Sequence, residues 1–343
     1  MISFQYFSFY TILFLFFFNG FSEKENSRIQ NGYHRIKQIT NLPTLYVDPS
    51  GHGNYTTIQS AVDSVPQYNQ NWICIYIKAG SYREQVKISR EKTYIYLKGE
   101  GKRKTNVTWD GHDSIATDAT FISEADHTIV KSITFINSYN FPPKGNVVVQ
   151  AVAAMISGDK STFYRCGFIG LQDTLWDVQG RHYFKLCTIV GAVDFIFGDG
   201  QSIYERCSIA VNGGELNGIV GFITAQGRTS LNDQSGFVFK DCGVFGNGLA
   251  YLGRPWREYA RVLFYNCSMS NVVVSDGWSA WNLIGRENYL TFSEENCKGI
   301  GSNTSQRVRW AAKLSQQELQ HLTSLSFIDN EGWIMKQPVN VLR

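Results

Sequence analysis

The sequence contains no G-x-S-x-G, which removes the elbow a serine esterase would need. It has no H-E-x-x-H and no Cys-x-x-Cys pair, so nothing signals a metal site, and no cofactor is expected. Lys and Arg never form a run of nucleic-acid-binding length. The densest basic cluster, Lys102 to Lys104, reads as a turn, and the net charge is only +3, so no nucleic-acid partner is expected. Apart from the N-terminal residues, no stretch approaches ~18 consecutive apolar residues, which excludes a helical membrane span in the remainder. Long helical patterns are also missing, and βαβ units need them.

The chain is rich in core material. Of its 343 residues, 43% are hydrophobic and 14% aromatic. Residues 3 to 21, SFQYFSFYTILFLFFFNGF, run into Gly20 and Ser22 and then a polar stretch, which is the form of a secretory signal peptide over residues 1–22. Its n-region has no Lys or Arg, and a signal anchor is the competing reading. A polar leader over 23–43 and one domain over 44–343 follow. Sequons at Asn54, Asn106 and Asn303 are glycosylation candidates, and secretion to an extracellular wall is expected. A fourth, Asn266, adjoins a cysteine in an expected core strand and is read as unmodified.

Six of the seven cysteines share one phase. Cys166, Cys187, Cys207, Cys242 and Cys267 each follow an aromatic residue by three positions (Phe163, Phe184, Tyr204, Phe239, Phe264), and Cys297 is a looser instance. That pattern points to one inward position repeated in a large fold rather than to a small disulfide scaffold. From Trp72 to about residue 300 the chain is a succession of short β-branched and aromatic runs ended by Gly, Asn or Asp. A repeat of about 20 to 25 residues built only of strands and turns predicts a parallel β-helix. Short helices are predicted at about 56–65, stopped by Pro66, and at LSQQELQHLTSLSF, where Ser315 and Glu318 form a capping box.

On this repeat Asp173 and Asp194, 21 residues apart, become neighbours on adjacent strands about 4.8 Å apart. Gln150 lies 22 residues before Gln172, one turn further back. Two carboxylates so close cannot both ionise easily, so one is expected to keep its proton while the other stays charged. Each aspartate could instead serve a turn or cap a strand. Asp194 lies inside the apolar run GAVDFIF, however, where an unpaired charge is costly.

These residues resemble the pectinesterases of plants and bacteria. The shared motifs are Gly80, Tyr82 and Glu84 (GxYxE), Gln150 to Ala153 (QAVA), Gln172 to Leu175 (QDTL), Asp194 to Gly198 (DFIFG) and Leu252 to Trp256 (LGRPW). TAQGR, GWxxW and RVxW follow in the same order. The resemblance implies a right-handed parallel β-helix that hydrolyses methyl esters of galacturonic acid in pectin. It makes Asp194 the nucleophile, Asp173 the acid and then base, Gln172 and Gln150 the oxyanion donors, and Arg254 the cation holding Asp194. The sugar-binding set it implies is Gln150, Phe195, Arg254, Trp256 and Thr120.

By phase Cys187 could meet Cys166 or Cys207, and the resemblance favours Cys207. A proteinaceous inhibitor is a possible partner, and a monomer is expected. Against the family pattern stand Ala192, Trp176 and Asp199-Gly200, the last placing an extra acid beside the groove, with consequences for substrate pattern and pH optimum. The helical inhibitor-like pro-region of many plant members is not expected here.

Two other readings compete. A β-helix glycoside hydrolase also uses two carboxylates. GHG at 51–53 and RIK at 35–37 suggest one, but in the wrong order. A non-catalytic wall-binding protein on the same fold is the other, and the intact motif positions argue against it.

Overall fold

The computed structural model describes residues 42–141 and 148–341. The expected signal peptide and all but the end of the leader lie outside the described residues. From Thr44 on the chain forms one compact unit. It is a right-handed parallel β-helix, whose chain passes repeatedly through three sheets of ten, eight and seven strands. One complete turn runs through Ser161–Tyr164 in the first sheet, Gly167–Ile169 in the second and Leu175–Asp177 in the third. The next turn stacks on it in register, Phe163 opposite Phe184, Phe168 opposite Ile189 and Leu175 opposite Ile196.

The cysteine phase has a backbone cause. The residue just before each of these six cysteines turns the corner between the first and second sheets in the left-handed conformation: Arg165, Leu186, Arg206, Asp241, Asn266 and Asn296 all have positive φ. Such a kink swings the following side chain into the coil, where a small apolar group fits. The N–H groups of the first five corner residues bond the turn above, as Arg165 does with the Lys185 carbonyl at 2.9 Å. The aromatic residue three positions earlier points inward from the first sheet. Phe163, Phe184, Tyr204, Phe239 and Phe264 form a continuous stack with successive ring centroids 4.4 to 4.9 Å apart.

Cys187 and Cys207 were expected to form a disulfide. All seven cysteines are instead free thiols. Each Sγ on the ladder points at a main-chain carbonyl of the preceding turn, Cys187 at Phe163 and Cys207 at Phe184. Asn266 also departs from expectation. It is an exposed corner residue, not part of a core strand, and its amide donates to Asp241 Oδ1 at 2.5 Å. Asn54 and Asn303 are exposed, and Asn106 is half-buried in the strand Thr105–Trp109.

One helix closes the N-terminal end of the coil, and a second lies against the first sheet. Ile58–Ser64 starts at Thr57 and buries Ile58, Ala61 and Val62. Glu84 accepts from the first two helical N–H groups, Ile58 and Gln59, both at 2.9 Å, so the GxYxE motif anchors this helix. The second helix, Gln316–Thr323, has the expected Ser315–Glu318 capping box and buries Leu322. Its end docks on the first sheet, where Lys240 Nζ donates to the Thr323 carbonyl at 3.2 Å and Arg181 pairs with Glu331 at 2.6 Å.

Phe184 lies in mid-stack, wholly buried between Phe163 and Tyr204. Phe184→Ala should cost about 3–5 kcal/mol in reversible urea denaturation, and Phe184→Leu clearly less. A loss under about 1 kcal/mol for the alanine variant would mean that the stack contributes little.

Candidate active site

The residues that lead into the third sheet form the site. Gln150 pairs with Gln172, and Gln172 with Val193, so three successive turns stack here and bring Asp173 under Asp194. The Asp173 N–H bonds the Val193 carbonyl at 3.0 Å. Both aspartates are left-handed, with φ of 60° and 47°. Aspartate tolerates that conformation better than most residues, and strain of this kind concentrates at functional sites.

Four of the expected groups meet directly. Arg254, from the strand Ala250–Pro255, holds Asp194 by two hydrogen bonds, Nε to Oδ1 at 2.8 Å and Nη2 to Oδ2. Gln150 Nε2 donates to Asp173 Oδ2 at 2.6 Å. Gln172 is half-buried beside them, and its amide has no partner among the described residues.

The electrostatics separate the two acids. Burial pushes the Asp173 carboxyl up to about 7, helped by the Asp194 charge and opposed by the Gln150 hydrogen bond and by Arg254. Burial also raises Asp194, but Arg254 pulls it back through both hydrogen bonding and charge. Asp194 is therefore the acid that ionises first, and Asp173 the one that keeps its proton. Asp199 does not enter this balance. It lies at the far end of the strand Ile196–Gly198, accepts from Ser235 at 2.5 Å and Gln226 at 3.4 Å, and is raised to about 6 chiefly by burial.

Beside the acids runs an aromatic shelf on the outer face of the third sheet. Met155, Trp176, Phe197, Ala225 and Arg254 occupy one row in register. Trp176 stacks on Phe197 with centroids 5.4 Å apart, and Trp256 meets Phe197 edge-on at 5.8 Å. Trp256 thus lies on the shelf. Phe195 is not, because the left-handed Asp194 turns the chain so that the next side chain enters the core, where Phe195 is 0% exposed. Thr120 also points inward at 0% exposure, its hydroxyl donating to the Ile136 carbonyl at 3.1 Å. Neither can touch a ligand in the groove.

Sequence reasoning missed Phe197 and Trp176 on the shelf, and also Phe222 and Trp281 around Arg254. Alternation along Ile196–Gly198 would have found Phe197, since Ile196 is in the core and its neighbour faces out. Nothing local pairs Phe222 or Trp281 with Arg254.

Comparison with known proteins agrees with the geometry. The sequence profile of the Pectinesterase family matches residues 44–331. "Probable pectinesterase 29" of Arabidopsis thaliana is 57% identical over 300 residues, which span 86% of this chain and 90% of that protein. Among solved structures, the pectin methylesterase from carrot superposes with a TM-score of 0.80 at 32% identity, covering 86% of this chain and 95% of the carrot chain. The pectin methylesterase from Aspergillus niger gives 0.72 at 29% identity, covering 84% and 94%. A β-helix that carries Asp173 and Asp194 on adjacent turns, with a family match over nearly all of its described length, belongs to the pectinesterase family.

Proposed function

We propose that the protein hydrolyses methyl esters of galacturonic acid residues in pectin, giving demethylated pectin and methanol. One observation carries the mechanism: Asp194, gripped by Arg254, lies one turn from Asp173, whose carboxyl burial pushes up to about 7. This is the asymmetry an aspartyl esterase needs, a nucleophile and a proton donor made from the same residue type.

In this reading an Asp194 oxygen attacks the ester carbonyl carbon. The carbonyl π electrons move to oxygen, and the free Gln172 amide donates to that oxyanion. Gln150 orients Asp173 with one N–H, leaving its second N–H for the oxyanion. Collapse of the tetrahedral species breaks the C–O bond as Asp173 gives its proton to the departing methoxide, and methanol leaves. An anhydride then links Asp194 to the galacturonate carbonyl. Asp173, now a carboxylate, takes a proton from water, the resulting hydroxide attacks the anhydride, and Asp194 is released as a carboxylate. Trp176 and Trp256 form the apolar surface offered to sugar rings, with Phe197 buried between them as their support.

The signal-peptide reading of residues 1–22 and the exposed Asn54 and Asn303 sequons support secretion into the wall, with glycans at those two sites. We further infer action as a monomer, with a proteinaceous inhibitor as a possible partner over the groove.

Purified protein should release methanol from methylated pectin without new reducing ends or unsaturated product, three readouts taken on one digest. New reducing ends without methanol would sink the esterase reading. Asp194→Asn should lower methanol release on the order of 10³-fold or more with the fold retained, and Gln172→Ala about 10²–10³-fold.

The pH dependence has a definite sign. Asp173 must be protonated to serve as the acid, so kcat should fall as pH rises through about 7. Gln150→Ala removes a hydrogen bond that lowers the Asp173 pKa, so it should move that basic limb to higher pH. A limb that stays in place or moves down would assign it to another group.

A further inference from the structure

Arg254 meets Asp194 through the edge of its guanidinium, which leaves the two faces of that plane to other groups. Two aromatic rings lie close to the cation. The Phe222 ring lies 4.2 Å from Cζ and the Trp281 ring 4.6 Å. Phe222 stacks on Tyr251 at 5.3 Å, and no ring contact joins Phe222 to Trp281 among the described residues, so the two approach the cation from different sides.

The structural explanation open to most tryptophans fails for Trp281. Its sequence neighbour in the same motif, Trp278, is a core residue at 1% exposure, with Nε1 bonded to Glu294 at 3.1 Å. Trp281 is 45% exposed, so it fills no cavity. It also sits at a φ of 47°, a conformation that costs a bulky residue of order 1 kcal/mol or more. An exposed ring held on a strained backbone needs a partner to hold it, and the partner present is the Arg254 cation.

We propose that Phe222 and Trp281 are positioning residues that clamp Arg254 between two rings and keep its guanidinium aligned with the Asp194 carboxylate. The clamp matters because Arg254 also acts on the neighbouring Asp173, and a free arginine could turn toward either acid or toward a carboxylate of the polymer. Held in plane, it serves Asp194 and leaves Asp173 its proton. The charge acting on Asp194 is that of Arg254, Asp194 in turn acts on the neighbouring Asp173, and neither ring carries a charge of its own.

The proposal rests on Asp194 as the nucleophile, so its test has one arm that needs turnover and one that does not. In the first, kcat/KM is followed against pH for Trp281→Ala, Trp281→Phe and Phe222→Leu. Trp281→Ala should lower kcat/KM about tenfold and move the acid limb up by about half to one pH unit, because a less firmly held Asp194 needs a higher pH to ionise. Trp281→Phe should restore most of both. A rise in KM with kcat and the acid limb unchanged would make Trp281 a sugar-stacking surface and overturn the clamp.

In the second arm, the Arg254 Nε–H resonance is followed by solvent exchange in the intact protein. Slow exchange in the wild type, at least tenfold faster in Trp281→Ala and Phe222→Leu, is expected. Equal exchange in all three overturns the proposal even if no ester is turned over. If the wild type shows protection but releases no methanol, the clamp stands and the functional reading fails. Should Trp281→Ala not fold, Trp281→Phe and Phe222→Leu still decide both arms.

Discussion

Parallel strands stacked in register, about 4.8 Å per turn, are the constraint on which this site depends. A coil with that spacing lays equivalent residues of successive turns over one another, so Asp173 and Asp194 have no freedom to move apart. Their proximity is therefore built into the backbone, as is the shielding from water that raises both. The geometry of the pair alone does not say which acid ionises. Arg254, sixty residues along the chain from Asp194, decides it by supplying charge to one carboxylate more than the other.

The same register accounts for what was legible in the sequence. Cysteine and aromatic residues mark the coil because each corner repeats a left-handed residue and each first-sheet strand repeats an inward ring. A residue spacing of 21 then places the two aspartates without any knowledge of contacts. The capping box at Ser315 and the helix over Ile58–Ser64 were readable because caps and periodicity are local. Where one turn is lengthened by the insert around Gly213–Leu216 and the loop before Gly236, the cysteine interval grows to 35 and the phase survives only through the aromatic partner.

What was not legible fails for physical reasons of two kinds. The left-handed corner at Asp194 shifts the inside–outside alternation, so Phe195 enters the core of the coil and Phe197 goes to the outer face, beneath Trp176 and Trp256. The motif DFIFG names both phenylalanines but does not say which is turned out. The second kind is long range. Phe222, Arg254 and Trp281 come from three separate segments and meet only because the coil stacks them. The thiol ladder is similar, since spacing brings Cys187 near Cys207 but does not decide whether they bond.

Beneath the aromatic shelf the core carries a polar trio. Asp177, on the shelf strand Leu175–Asp177, bonds His182 Nδ1 at 2.5 Å and accepts from the Tyr204 hydroxyl at 2.6 Å, and all three are fully buried. His182 Nε2 faces the Gly158 carbonyl at 2.9 Å. Buried polar groups are costly unless every partner is satisfied, and a satisfied network admits few alternative packings. The trio ties the third-sheet strand that presents Trp176 to the first-sheet strands Arg181–Lys185 and Gln201–Glu205. Gly198 is required by the same close packing, because at φ 122° an added Cβ would lie 1.9 Å from the Asp177 carbonyl oxygen. The shelf is therefore fixed from behind by hydrogen bonds, and Arg254 is fixed from both faces by rings. Catalytic geometry in this coil thus comes from rigid support on two independent sides.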